Sequence, residues 1–160
     1  MVASADALRQ LEAQGAGAVI VWAGTLLYNS SCITPAVLAT LTSPPPASTL
    51  AAVLHWAVKV PNIIAGCFFV MGSYLAWAAA ARSPNLLHIC QHCLPTGSFW
   101  AFLLYLLGSV GFLTGAVLSE AVFVIPASVL IDEWFGMFVG YFLGSLCFLS
   151  GSYLGMTAVT

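Results

Sequence analysis

The densest set of metal-capable side chains lies in one short stretch, "HICQHC", where His88, Cys90, His92 and Cys93 fall within six residues. Two thiols spaced Cys-x-x-Cys and flanked by imidazoles are soft donors of the kind zinc takes, four at a time and tetrahedrally. Six residues are short for wrapping all four donors around one ion, and no second ligand pair follows downstream. Leu94 rather than His follows Cys93, so the c-type haem attachment pattern is not met. The alternatives for this stretch are an ordinary loop, a contact with a partner, or a thiol pair that cycles to a disulfide. His55, like His88 and His92, stands near the end of an expected membrane span, where an imidazole can ligate a metal such as a chlorophyll magnesium.

Beyond these residues the sequence offers little reactive chemistry. No nucleophile–base pair, phosphate-binding loop or nucleotide fingerprint is present, which argues for a non-catalytic protein. Asn29, Ser30, Ser31 and Thr34 form a polar group that either lines a pathway or satisfies backbone groups freed at Pro35. Nothing ionisable falls at mid-span, and coupled transporters and proton relays need such groups.

The elements that must position these residues are set by composition. Of 160 residues, 61% are hydrophobic and 5% charged, and the mean hydropathy is +1.03, values that describe an integral membrane protein. The charges are Asp6, Arg9, Glu12, Lys59, Arg82, Glu120, Asp132 and Glu133, and a net charge of −2 gives no basic surface for nucleic acid. The start lacks a basic region followed by an apolar core and cleavage site, so no secretory signal is expected there.

A single all-α membrane domain with four transmembrane helices follows. Residues 1–15 are expected to form a short interfacial helix stopped by Gly15, and spans are expected at about 17–41, 61–81, 97–118 and 134–158. Pro35 should kink or end the first span, and Pro61 suits the first turn of the second. Arg9 and Arg82 then share one face with both termini, which points that face to the cytoplasm, matrix or stroma.

The last three spans are related by a 36-residue repeat: "YLLGSVGFLTG" from Tyr105 matches "YFLGSLCFLSG" from Tyr141, and Gly72-Ser73 lies 36 residues upstream of Gly108-Ser109. Gly72, Gly108 and Gly144 are thereby expected at one depth, where antiparallel backbones approach closely. Gly111 with Gly115 and Gly151, and the series Gly136, Gly140, Gly144, supply smooth faces for helix packing, with Ser73, Ser109 and Ser145 available to hydrogen-bond across the contact.

"PNIIAGCFFVMGSYLAW", "FWAFLLYLLGSVGFLTG" and "WFGMFVGYFLGSLCFLSG" together resemble the YrhK-like membrane domain family over about residues 61–156. The matching positions are Asn62, Phe68, Phe69, Gly72 and Ser73, then Trp100, Gly108 and Ser109, with Trp134, Gly144 and Ser145 as an extra unit. The first span and the third unit depart from the family's pattern, and the resemblance implies architecture rather than activity.

The expected function is a non-catalytic accessory or scaffold subunit of a multisubunit complex in a bioenergetic membrane, held among lipids and other integral subunits. A pI of 5.8 and few basic residues incline this reading to a photosystem-associated protein of the thylakoid over a respiratory one of the mitochondrial inner membrane. Chlorophyll, carotenoid or bound lipid would then occupy helix faces. The alternative is a homo-oligomeric channel or small-solute transporter with Asn29, Ser73, Ser109 and Ser145 as its polar lining.

Overall fold

The computed structural model describes residues 5–41, 43, 45–81, 97–121 and 136–157. Within them the chain is all-helical, with four helical stretches long and apolar enough to cross a membrane: Gly15–Ala39, Ala47–Ala80, Gly97–Ser119 and Phe138–Thr157. They belong to α1 (Ala5–Ala39), α2 (Ala47–Leu54), α3 (Val60–Ala80), α4 (Gly97–Ala121) and α5 (Gly144–Thr157). Two π-helical segments, His55–Lys59 and Gly136–Leu143, lead into α3 and α5.

One boundary differs from the sequence-based expectation, and two prolines stand within continuous helix. Gly15 does not stop a separate interfacial helix, because α1 runs through it without a break. Glycine inside a helix costs only about 0.5–1 kcal/mol, which a long apolar run outweighs. Pro35 does not end the first span either, since helix continues to Ala39.

α3 begins at Val60 with Pro61 in its first turn, as expected, and α2 and the π segment extend it backward into one helical stretch of 34 residues from Ala47 to Ala80. A proline in a plain α-helix lacks one hydrogen-bond donor and crowds the carbonyl four residues back. Here the wider π turn at His55–Lys59 immediately precedes it, placing Pro61 in the first turn of α3.

The helices pack in chain order, α1 along α3, α3 along α4, and α4 along the fourth span. Among the described residues α1 and the fourth span share no extended contact, so the spans form a row rather than a closed square.

Small residues set every seam. On α1 the buried positions Gly17, Gly24 and Ser31 recur every seven residues and face α3. A Cβ on Gly17 would lie 2.9 Å from the Gly72 carbonyl oxygen, and one on Gly72 would lie 2.7 Å from that of Gly17. Between α4 and the fourth span, a Cβ on Gly108 would meet the Gly144 oxygen at 2.9 Å, and one on Gly144 the Gly108 oxygen at 3.0 Å. Gly140 is tighter, with its absent Cβ 2.5 Å from the Gly115 Cα and 2.8 Å from the Gly111 oxygen.

The three mid-span glycines therefore do not all meet one another. Gly108 and Gly144 do, while Gly72 turns to Gly17 on α1 because α3 has neighbours on two sides. One residue on, roughly 100° around the helix, Ser73 faces α4 and hydrogen-bonds Ser109 at 2.9 Å.

These distances separate tolerated from disruptive substitutions. Gly140→Ala should destabilise the bundle by about 1–3 kcal/mol, because backbone atoms block the new methyl group. Gly15→Ala meets nothing within 4 Å and should be neutral or stabilising by up to about 1 kcal/mol. Gly144→Leu should likewise cost more than Leu143→Ala. Reversible unfolding in mixed micelles measures all four; equal midpoints for Gly140→Ala and Gly15→Ala would contradict the seam.

Candidate functional site

Apart from the mid-helix pair Ser73–Ser109, a group of polar side chains gathers at one end of the bundle, where the two π segments lie. Ser31, 1% exposed, contacts the Asn62 side chain and hydrogen-bonds the Tyr28 carbonyl at 2.7 Å. A serine hydroxyl carries one proton. With that proton on the Tyr28 carbonyl, the contact is satisfied when Asn62 presents its NH₂ group to the Ser31 oxygen.

Lys59 donates to the Ser119 carbonyl at 3.4 Å. That oxygen belongs to the last turn of α4, where unpaired carbonyls favour a cation. Tyr141 interacts with Ser119, and both Tyr141 and Tyr28 lie within electrostatic reach of the Cys32 thiol.

Below these groups lies an aromatic cluster to which every span contributes. The Phe112 ring of α4 meets Tyr28 at 5.9 Å, Tyr141 at 5.6 Å and Phe148 at 5.5 Å, each steeply inclined. Phe69 of α3 completes it, 6.5 Å from Phe112 and 6.3 Å from Phe148. Such edge-to-face pairs contribute about 0.5–1.5 kcal/mol each beyond area burial. A recess with about 180 Å³ of empty space opens here, lined by Tyr28, Asn62, Gly66, Phe69, Phe112, Ala116 and Tyr141, yet too narrow to seat a water molecule.

No family model, curated protein or solved structure matches this chain. The site must be read from its own chemistry. Two phenols, a carboxamide, hydroxyls and an ammonium meet at this end, and Ser31, Asn62 and Lys59 among them are engaged with groups of the chain itself. Among the described residues no three His, Cys, Asp or Glu side chains converge as a metal site.

The positions singled out by sequence divide clearly. Gly108, Gly111, Gly115, Gly140 and Gly144 converge on the seam between α4 and the fourth span, and a Cβ on Gly151 would lie 3.0 Å from the Ala101 oxygen. Gly136 opens the second π segment. Ser73 and Ser109 are buried together; Ser109 gives its proton to the Tyr105 carbonyl at 2.7 Å, so Ser73 is the donor between them. Ser145 does not join them: it is exposed and bonds back to the Tyr141 carbonyl at 2.7 Å.

His55 sits in the first π segment with its ring edge-on to Trp56, centroids 4.9 Å apart. His88, Cys90, His92, Cys93 and Trp134 lie outside the described residues. Ser30, Ser31 and Thr34 all bond back to carbonyls of their own helix.

Sequence reasoning passed over Gly17, Gly24 and Gly66 as well as the Ser31–Asn62 contact. The seven-residue spacing of Gly17, Gly24 and Ser31 is the signal that marks the first seam. The Ser31–Asn62 contact should give a coupling of about 0.6 kcal/mol, and at most about 1.7, in a double-mutant cycle of Ser31→Ala and Asn62→Ala read by detergent unfolding. Strict additivity would show that the two side chains do not interact.

Proposed function

We propose that the chain is a non-catalytic accessory or scaffold subunit of a multisubunit complex in a bioenergetic membrane. The observation that carries this reading is how the interior polar groups are occupied. Ser73 binds Ser109, Ser31 meets Asn62, and Lys59 caps the end of α4. Groups satisfied within the protein hold helices in register and leave little free to bind or convert a substrate.

The outer surface supports the same reading. Large apolar side chains such as Trp22, Leu149, Tyr153 and Met156 face outward on glycine-welded helices, a rigid body suited to lipid, pigment or neighbouring helices. The resemblance of residues 61–156 to the YrhK-like family belongs to this proposal as a matter of architecture. The low pI and sparse basic residues favour a photosystem-associated thylakoid protein over a respiratory one of the mitochondrial inner membrane. In that setting chlorophyll, carotenoid or lipid lies on helix faces, with His55, His88 and His92 as the imidazoles near span ends.

The reading is tested by affinity purification in mild detergent followed by absorption spectroscopy and mass spectrometry. The chain should co-purify with unlike integral subunits of a pigment- or haem-containing complex, and its deletion should change that complex's composition more than its turnover. Recovery of a colourless assembly of this chain alone that conducts ions in bilayers would replace the scaffold by the channel.

A further inference from the structure

Gly24 of α1 and Gly151 of the fourth span meet the same surroundings. A Cβ on Gly24 would lie 3.2 Å from the Ala65 oxygen, 3.1 Å from the Phe68 Cβ and 3.2 Å from the Phe69 Cδ1. One on Gly151 would lie 3.0 Å from the Ala101 oxygen, 3.3 Å from the Leu104 Cβ and 3.3 Å from the Tyr105 Cδ1. The 36-residue shift carries the first three partners onto the second three. It also carries Gly72, which meets Gly17 and Val21, onto Gly108, which meets Gly144 and Phe148. One constant spacing likewise carries Gly17, Val21 and Gly24 onto Gly144, Phe148 and Gly151. The pair α1–α3 is thus matched, contact for contact, by the pair of α4 and the fourth span. Ser73 and Ser109, related by the same shift, touch each other. A residue meets its equivalent only on a two-fold axis. Because α3 and α4 run antiparallel, with Gly66 on Leu113 and Trp77 on Phe99, that pseudo-two-fold axis crosses the helices and lies in the membrane plane.

The halves are held differently within and between. Within each, glycine faces glycine and main chain meets main chain. Between them, among the described residues, no glycine pair closes the seam: Gly66 lies on Leu113, Ser73 on Ser109, and Phe69 edge-on to Phe112 and Phe148. On either side of Ser73–Ser109 this seam is imperfect. Toward the π segments the recess lies between the halves, with Asn62 and Phe69 on one side and Phe112 and Tyr141 on the other. Toward the other end Trp77 is 3% exposed, and among the described residues its indole N–H has no acceptor. Unfilled space forfeits dispersion contacts, and a buried unpaired donor carries the cost of its lost hydration. Widening the seam at either end relieves the defect there, and inverted halves can tilt either way about their shared axis.

We infer that the two helix pairs are rigid bodies that rock about the Ser73–Ser109 contact, opening the seam at the recess or at Trp77 in turn, and that this structure is the state closed at both ends. The glycine seams inside each pair stay shut throughout. The motion goes beyond the scaffold reading and does not depend on it.

Spin labels on the full chain in proteoliposomes, with the native cysteines replaced, read both ends by pulsed dipolar spectroscopy. Val37 with Phe138 reports the recess end and Glu12 with Met156 the Trp77 end, all four being exposed. Each pair should give two distances, whereas Val37 with Trp56, inside one half, should give one. Gly66→Ala, whose methyl would meet the Leu113 Cα at 3.0 Å, should raise the open fraction at Val37–Phe138 and lower it at Glu12–Met156. Trp77→Phe keeps a ring without the donor and should lower the open fraction at Glu12–Met156 by about five-fold or more. The thermal midpoint of each variant in detergent reports folding separately. A single narrow distance at both ends, both ends widening together in Gly66→Ala, or an unchanged open fraction in Trp77→Phe would overturn the rocking and leave the scaffold reading standing.

Discussion

Hydrocarbon around a helix is as apolar as its side chains, so burial from water cannot hold one membrane helix to another. What remains is close packing, and here it depends on backbones that touch. Gly17 against Gly72, Gly108 against Gly144, and Gly140 against Gly111 and Gly115 bring main-chain atoms into positions a Cβ would occupy. Those contacts determine what else is possible. Ser73 reaches Ser109 because the surrounding seams bring their helices close together, and the rings of Tyr28, Phe69, Phe112, Tyr141 and Phe148 interlock where the glycines leave room.

The second constraint is that hydrocarbon satisfies no hydrogen bond. Hydroxyls at 25, 30, 31, 34, 109, 114, 145 and 152 fold back onto carbonyls three or four residues earlier in their own helices. At Pro61 the problem is different, because a donor is missing altogether. The π turn just before it changes the bonding pattern where a straight α-helix would crowd the proline ring, and the helix continues from Ala47 to Ala80. Both π segments lie at the end of the bundle holding Asn62, Lys59, Ser119 and Tyr141, so irregular backbone and interior polarity coincide.

The number and type of spans were legible because 18 or more uncharged apolar residues have few other uses. The 36-residue repeat pairs Gly108 with Gly144, which do meet, but a repeat does not say which way each glycine faces. Facing depends on the packing order of the helices, and the two-sided packing of α3 sends Gly72 to α1 and Ser73 to α4. Gly15 reads as a stop only when a local helix breaker is weighed without the long apolar run that overrides it, whereas Pro61 does stand in the first turn of α3. The Ser31–Asn62 contact joins residues 31 positions apart on different helices, and nothing in the local pattern of either marks the other.

A row of four helices differs from a closed square in what it leaves over. In a square every helix packs extensively on two neighbours; in this row, among the described residues, only α3 and α4 do, and α1 and the fourth span each pack extensively on one. On α1 the free side carries Trp22 and Asn29 among exposed apolar residues, while the packed side carries Gly17, Gly24 and Ser31 at seven-residue spacing. Gly17, Gly24 and Ser31 close one side of α1 against α3, and the close backbone approach there, not burial from water, is what fixes the first helix in the row.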